Sequence, residues 1–124
     1  MENTIRTIIV DDEPLARKGL SIRLKQFEEI ELVAQCSNGE EALDIIREMQ
    51  PRLVFLDIQM PGLNGLELVQ ELQIANRVIF VTAYHQKTDE IKALNPIGYL
   101  LKPFDDDKFH QVLKLAIDTL KAKL

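Results

Sequence analysis

The sequence predicts an α/β fold in which a doubly wound, five-stranded parallel sheet is covered by helices on both faces. Two observations support this prediction. Short apolar runs alternate with longer segments in which apolar residues recur every three or four positions. The run from Leu53 to Leu56 is apolar throughout, as expected for a strand buried on both faces of a parallel sheet. Alternating strands and helices of this kind are typical of α/β domains.

The bulk composition is that of one globular domain. The chain has 124 residues, of which 46% are hydrophobic and 28% charged. Its formal net charge of -5 argues against direct nucleic-acid binding, because phosphate binding needs a basic face. The lone Cys36 excludes an internal disulfide and suits a reducing compartment, and no run reaches membrane-spanning length. The N-terminus also lacks a signal-peptide pattern. We therefore expect a single cytoplasmic domain, residues 1–124, that binds neither nucleic acid nor membrane.

The first half of the chain predicts two strands and two helices. Thr4 to Val10 is rich in β-branched residues and predicts the first strand. Pro14 suits the first turn of a helix, whose apolar stripe is Ala16, Leu20, Leu24 and Phe27. A weaker second strand is predicted at residues 31–37. Asn38 and Glu41 then predict a capping box before a helix with the stripe Ala42, Ile45, Ile46 and Met49, which Pro51 ends.

The second half predicts three strands and three helices. The strand beginning at Leu53 ends on Asp57, and a further capping pattern, Asn64 with Glu67, opens the third helix. Residues 78–81 predict a strand that ends on Thr82. Residues 84–94 predict a weakly anchored helix, since they hold few apolar residues. The last strand, residues 99–101, ends on Lys102, and Asp105 opens a final helix with the stripe Phe109, Val112, Leu113, Ala116, Ile117 and Leu120.

Chemistry-bearing residues follow four of the predicted strands. They are Asp11 with Asp12, then Asp57, Thr82 and Lys102. In an open parallel sheet all the carboxyl ends lie along one edge, and ligands bind there where the strand order reverses. With the strand order 2-1-3-4-5, these side chains would converge on one shallow pocket.

The residue types in this pocket favour phosphoryl transfer. Three neighbouring carboxylates repel one another and need a hard divalent cation such as Mg²⁺, which binds carboxylates, waters and phosphate oxygens. Lys102 adds a positive charge, and Thr82 adds a hydroxyl donor for an anionic oxygen. A carboxylate nucleophile, a metal and a lysine together describe phosphoryl transfer to an aspartate, here Asp57.

Four segments resemble the receiver domain of two-component response regulators. They occur in the family's order across essentially the whole chain: Val10 to Pro14 (VDDEP), Leu56 to Gly62 (LDIQMPG) with Gly65, Val81 to Ala83 (VTA), and Tyr99 to Phe104 (YLLKPF). Each motif is weak alone, but together they are highly specific. The resemblance implies the flavodoxin-like receiver fold. Residues 12–17, 80–84 and 99–105 are also similar to receivers attached to LytTR-type DNA-binding domains, although we predict no such output domain within this chain.

The resemblance implies a role for each site residue. Asp57 would accept a phosphoryl group from a sensor histidine kinase or a small phosphodonor. Mg²⁺ would be bound by Asp12, by Asp57, by the backbone carbonyl of Gln59 and, through water, by Asp11. Lys102 would contact the phosphoryl oxygens, with a cis bond to Pro103.

The resemblance also implies how the signal leaves the site. Thr82 would move towards the phosphoryl group and Tyr99 would rotate inward behind it. The face of helix four, strand five and helix five would then change its affinity for an output domain, a partner protein or a second copy. The expected outcome is transcription regulation, without enzymatic activity beyond self-phosphorylation and autodephosphorylation.

Three alternatives stay open at this point. An aspartyl-nucleophile phosphatase would need a second acid two residues after Asp57, where this chain has Gln59. A flavodoxin-like FMN-binding protein would need a phosphate-cradling loop after strand one, where Asp11, Asp12 and Glu13 would repel the phosphate. A receiver could also act as a phosphorylation-independent scaffold.

Overall fold

The computed structural model describes residues 4–83 and 88–122, and within them five strands alternate with five helices. The strands are β1 (Ile5–Val10), β2 (Ile30–Cys36), β3 (Leu53–Leu56), β4 (Val78–Thr82) and β5 (Gly98–Leu101). The helices are α1 (Pro14–Leu24), α2 (Gly39–Met49), α3 (Gly65–Leu72), α4 (Thr88–Ala93) and α5 (Asp106–Ala122). A short 3-10 turn at Ala75–Arg77 precedes β4. The predicted α/β class is confirmed.

All the strand pairs are parallel, and the sheet order is β2-β1-β3-β4-β5, as predicted. The chain runs from β1 outward to β2 and then crosses back to β3 on the other side of β1. The order therefore reverses between β1 and β3, which pair from Thr7 with Leu53 to Val10 with Leu56. The crevice outside the carboxyl ends of these two strands is where such sheets bind ligands.

Side chains of successive strand residues point to opposite faces of the sheet, so each strand contributes to two cores. In β3, Val54 and Leu56 join a core formed with α2, α3 and α4. Leu53 and Phe55 join a second core formed with α1 and α5. Phe109 lies at the centre of this second core, with ring centroids 6.0 Å from Phe55 and 6.0 Å from Phe104. No described helix is both long enough and apolar enough to cross a lipid bilayer.

The helix starts match the predicted capping patterns in one case and correct them in another. Asn64 and Glu67 form a full capping box at α3. At α2 the Asn38 side chain accepts the Glu41 N–H, but the Glu41 carboxylate accepts the N–H of Ser37 instead of that of Asn38. The box predicted there is therefore wrong in its second half, because the carboxylate bonds one residue further back.

The helix predicted at residues 84–94 is described only in part, since residues 84–87 lie outside the described residues. Its described part, α4, has six residues and is held to the core by Ile91, which is 2% exposed. At the other end of the chain, Asp105 directly precedes α5, close to the predicted start, and its carboxylate caps the helix by accepting the Lys108 N–H at 2.8 Å.

Candidate functional site

The residues that follow the strands are fixed by hydrogen bonds that extend the sheet by one step. The N–H of Asp11 donates to the Cys36 carbonyl at 3.1 Å, and the N–H of Asp57 donates to the Val10 carbonyl at 2.9 Å. The N–H of Lys102 donates to the Thr82 carbonyl at 2.8 Å. The sheet therefore fixes the backbone positions from which these side chains extend.

Three of these side chains form an acidic cluster. Asp11, Asp12 and Asp57 each place one carboxylate oxygen within 4.8 Å of the others. Asp11 is 1% exposed and Asp57 is 5% exposed, whereas Asp12 is more open to solvent. The predicted convergence of the strand ends therefore brings the three carboxylates together at one point.

Lys102 reaches into this cluster from the end of β5. Its Nζ lies 2.8 Å from Asp11 Oδ2, 3.1 Å from Glu13 Oε1 and 3.4 Å from Asp57 Oδ2. Three N–H donors on one ammonium group suffice for these three acceptors. The peptide bond from Lys102 to Pro103 is cis. One cation is thus shared by three acids, and the local charge stays negative.

The pKa values in the site reflect this imbalance. Burial raises the pKa of Asp57 above its ordinary value of 3.8, and the charge of Asp11 raises it further, while Lys102 opposes both effects. Burial alone would lower the pKa of Lys102, but its hydrogen bond to Asp11 and the charges of Asp57 and Asp11 hold that pKa well above the usual range. Lys102 is therefore a permanent cation, and Asp57 is a carboxylate whose charge is poorly compensated.

The loop after β1 presents Asp12 without using its carboxylate as a helix cap. The N-cap of α1 is Glu13, whose side chain makes no capping bond, and Pro14 occupies the first turn. Asp11 Oδ1 accepts the Glu13 N–H at 2.9 Å, which closes a tight turn around Asp12. Arg17 Nη1 donates to the Asp11 backbone carbonyl and ties α1 to the same loop.

The loop after β3 carries Gln59 beside the cluster. The Gln59 N–H donates to Asp57 Oδ1 at 3.3 Å, so the backbone at this position is held close to the Asp57 carboxylate. A cleft of about 320 Å³ opens over the strand ends and is lined by Asp12, Glu13, Asp57, Gln59, Thr82, Ala83 and Lys102.

The two residues expected to act as switches lie in different places. Thr82 ends β4, lines the cleft beside Asp57 and is fully buried. Tyr99 lies in β5, half-buried against the core on the side of α4, and lines a separate cavity of about 390 Å³ with Ile91 and Asn95. The structure therefore brings Thr82, but not Tyr99, to the acidic cluster.

The donor set fits a hard divalent cation. Carboxylate and carbonyl oxygens beside an open cleft are the ligands that Mg²⁺ takes, and its remaining positions are filled by water or phosphate oxygens. Three close carboxylates with one lysine leave a net negative charge that such a cation would offset.

Two site residues were not predicted as such from the sequence. Glu13 belongs to the VDDEP motif without a role in the predicted site, yet it contacts Lys102. Arg17 has the spacing of a solvated helix face, yet it contacts the loop that holds Asp11. The proximity of both residues to Asp11 and Asp12 along the chain was the only available signal.

Comparison with known proteins decides the family. The model of the response regulator receiver domain matches residues 7–114. The chain belongs to this receiver family. Phosphorylation-dependent switching is general to the family, and its members interact with histidine kinases and output domains.

Relatives of this receiver include transcriptional regulators. It is 45% identical over 111 residues to an uncharacterized response regulatory protein of Yersinia pestis, covering 88% of this chain and 47% of the relative. It is 39% identical to the transcriptional regulatory protein BtsR of Escherichia coli, covering 88% of this chain and 46% of BtsR. The receiver thus spans about half the length of these curated relatives.

Solved structures share the whole fold of the receiver. The response regulatory domain of the protein mrkE from Klebsiella pneumoniae has a TM-score of 0.88 at 28% identity, covering 95% of this chain and 99% of that one. The receiver domain of AraT from Geobacillus stearothermophilus has a TM-score of 0.86 at 28% identity, covering 97% and 98%.

Proposed function

We propose that this receiver is a phosphorylation-dependent switch whose phosphoryl acceptor is Asp57. The observation that carries the proposal is the setting of its carboxylate, which lies buried at the end of β3 with Lys102 Nζ at 3.4 Å and the other two acids within 4.8 Å. One Asp57 oxygen forms a bond to phosphorus while the phosphorus–nitrogen bond of a donor phosphohistidine breaks. The electron pair of that bond returns to the imidazole, which takes up a proton.

The same residues would hold the metal that this reaction needs. Asp12, Asp57 and the Gln59 backbone carbonyl would bind Mg²⁺ directly, and Asp11 would bind it through water. The ion would supply the positive charge that offsets the carboxylates and the phosphoryl oxygens. Asp11 is the acid closest to Lys102, at 2.8 Å, so its charge is already partly compensated. This supports its assignment to the outer position.

Lys102 and Thr82 would then stabilise the phosphorylated state. Lys102 Nζ is a permanent cation beside Asp57 and would donate to the phosphoryl oxygens. The Thr82 hydroxyl, in the same cleft, would donate to another of these oxygens. Tyr99 would follow by moving inward, which would change the surface formed by α4, β5 and α5. Phosphorylation of Asp57 would thereby change the affinity of this surface for a partner.

The partners follow from this chemistry. A sensor histidine kinase would supply the phosphoryl group, and an output domain or partner protein would read the changed surface. A second copy of the chain could bind the same surface. Because relatives twice this length are named transcriptional regulatory proteins, we propose that the output is transcription regulation in the cytoplasm. Within this scheme residues 1–124 act as one receiver domain without nucleic-acid or membrane binding of their own.

The test is phosphorylation by a small donor. Wild-type protein incubated with acetyl phosphate and Mg²⁺ should gain one phosphoryl group by intact mass spectrometry. Asp57→Asn should gain none, and omission of Mg²⁺ should abolish the gain. An unchanged wild-type mass, with a control receiver labelled in parallel, would favour a phosphorylation-independent scaffold. Sustained turnover of p-nitrophenyl phosphate would favour a phosphatase instead.

A further inference from the structure

The segment from Gln59 to Asn64 connects the acceptor to α3 and carries the carbonyl assigned above to the metal. The Gly65 N–H donates to the Ile58 carbonyl at 2.9 Å, which joins the residues on either side of this segment, and the side chains of Ile58 and Met60 are buried. Within the segment, Gly62 is exposed and Leu63 is only partly buried against the core. A further contact at these two residues would therefore help to fix the loop.

The first turn of α2 makes that contact. Glu40 Oε2 accepts the Leu63 N–H at 3.0 Å, across 23 residues of chain. Gly39 lies so close that a Cβ on it would be 2.1 Å from the Leu63 carbonyl oxygen. Gly62 has a φ of +76°, and a Cβ on it would be 2.8 Å from Glu40 Oε2. The backbones of α2 and the loop therefore touch directly, with the Glu40 carboxylate between them.

We propose that Glu40 is a positioning residue that holds the loop after β3 so that the Gln59 carbonyl faces the metal. The inference rests on the proposed function, since it assigns Glu40 a part in completing that metal site. A carboxylate accepting a backbone N–H makes a stronger bond than a neutral acceptor. The Glu40 bond at Leu63 adds an anchor to a loop that is otherwise held at Ile58 and Gly65, and it thereby narrows the orientations that the loop carbonyls sample.

The neighbouring Glu41 provides a matched control. It lies in the same first turn of α2, where either acid interacts favourably with the helix dipole. Its carboxylate, however, accepts the Ser37 N–H at 2.8 Å and makes no described bond to the loop. Loss of either acid changes the charge of the helix terminus equally, but only loss of Glu40 releases Leu63.

The experiment compares Glu40→Ala, Glu40→Gln and Glu41→Ala with the wild type. Isothermal titration calorimetry gives the Kd for Mg²⁺, and hydrogen exchange followed by NMR reports on the Leu63 amide. Residues that orient metal ligands typically contribute at least tenfold to affinity, so we expect an increase in Kd of about tenfold for Glu40→Ala. Glu40→Gln, which keeps an oxygen acceptor, should fall between it and the wild type. Glu41→Ala should match the wild type.

A second readout separates positioning from general stability. Labelling of Glu40→Ala by acetyl phosphate should be slow at limiting Mg²⁺ and return to the wild-type rate at saturating Mg²⁺. Because Mg²⁺ also stabilises the native state, a variant that is merely unstable is recognised by faster exchange of amides throughout the protein rather than at Leu63, and that result would overturn the inference. Equal Mg²⁺ affinities for Glu40→Ala and Glu41→Ala would also overturn it.

Failure of the proposed function gives a different pattern. A wild-type protein that neither binds Mg²⁺ nor gains a phosphoryl group overturns the function, and the metal-positioning role with it. A wild type that does both, together with a Glu40→Ala variant that is unchanged in Kd and in Leu63 exchange, overturns only the role of Glu40.

Discussion

Replacing Asp57 with Asn should stabilise the metal-free protein, because burial disfavours the charge of the Asp57 carboxylate and the neighbouring acids add to this effect. At an effective dielectric constant of about 20, two unit charges 4.8 Å apart repel by about 3.5 kcal/mol. Repulsion from Asp11 and Asp12 together therefore comes to about 7 kcal/mol. Lys102 Nζ lies 3.4 Å from Asp57 Oδ2 and attracts this carboxylate by about 5 kcal/mol. This net repulsion of about 2 kcal/mol acts in the same direction as burial of the carboxylate, which is the main cause of the raised pKa of Asp57.

Asn has the shape of Asp and keeps an oxygen that can accept the Gln59 N–H, so the change removes charge with little change in packing. We expect the free energy of unfolding at pH 7 to rise by about 1–2 kcal/mol, or about 4–8 °C in Tm for a chain of this size. Urea denaturation followed by circular dichroism measures the difference. Asp44→Asn, in an exposed turn of α2, makes the same change in net charge and should have little effect.

The stability that Asp57→Asn gains over the wild type should depend on pH in a definite direction. The native pKa of Asp57 lies above its ordinary value of 3.8, so the native state binds this proton more tightly than the unfolded state. Ionisation of Asp57 therefore lowers the stability of the wild type as the pH rises through the native pKa. The advantage of Asp57→Asn should be complete above that pKa, shrink as the pH falls through it and be absent below pH 3.8.

Mg²⁺ should reduce or reverse the difference in stability between Asp57→Asn and the wild type. A ligand at 100 times its Kd stabilises the native state by about 2.7 kcal/mol, and Asp57→Asn lacks one of the proposed ligands. The reasoning is refuted if Asp57→Asn is less stable than the wild type at pH 7 without Mg²⁺. It is equally refuted if Asp44→Asn gives the same gain, because the effect would then belong to net charge.

Four further predictions concern the scaffold. Gly65→Ala should lower the free energy of unfolding by about 1–3 kcal/mol, since its Cβ would lie 2.4 Å from the Asp57 carbonyl oxygen. Gly19→Ala, in α1 with only a flexible side chain at 3.4 Å, should raise it by about 0.5–1 kcal/mol, and urea titration compares the two. Burial raises the pKa of Cys36 to about 11, so iodoacetamide at pH 8 should label it only in the unfolded protein, as mass spectrometry would show. Phe109→Ala should lower the free energy of unfolding by about 3–5 kcal/mol in the same titration, because the second core closes around this ring.

The sequence predicts the sheet and the convergence of the strand ends because both depend on local patterns. A fully apolar run predicts a strand buried on both faces, and the polar residue that follows each run must leave the core. The parallel-sheet rule then places Asp11, Asp57, Thr82 and Lys102 on one edge without knowledge of any tertiary contact.

The contacts that adjust the site could not be predicted in this way. Glu13 and Lys102 are 89 residues apart, and Glu40 and Leu63 are 23 apart. Each contact depends on the reach and rotamer of an exposed charged side chain, and periodicity does not contain that information. Arg17 and Glu40 both have the spacing of solvated helix residues, and only the loops folded against them give them partners.

The charge arrangement of the site also indicates which contact Lys102 would exchange for a contact to a phosphoryl oxygen. Lys102 Nζ has three donors and contacts three acids, one of which is Asp57 itself, so a phosphoryl contact beyond the one that replaces the Asp57 contact requires that Asp11 or Glu13 be released. The bond to Asp11 is the shortest, at 2.8 Å, and is shielded from water because Asp11 is 1% exposed. The Glu13 side chain is 65% exposed, so its carboxylate can return to water at little cost. We therefore expect Glu13 to be the partner that Lys102 releases, which leaves Asp11 holding the lysine beside the modified Asp57.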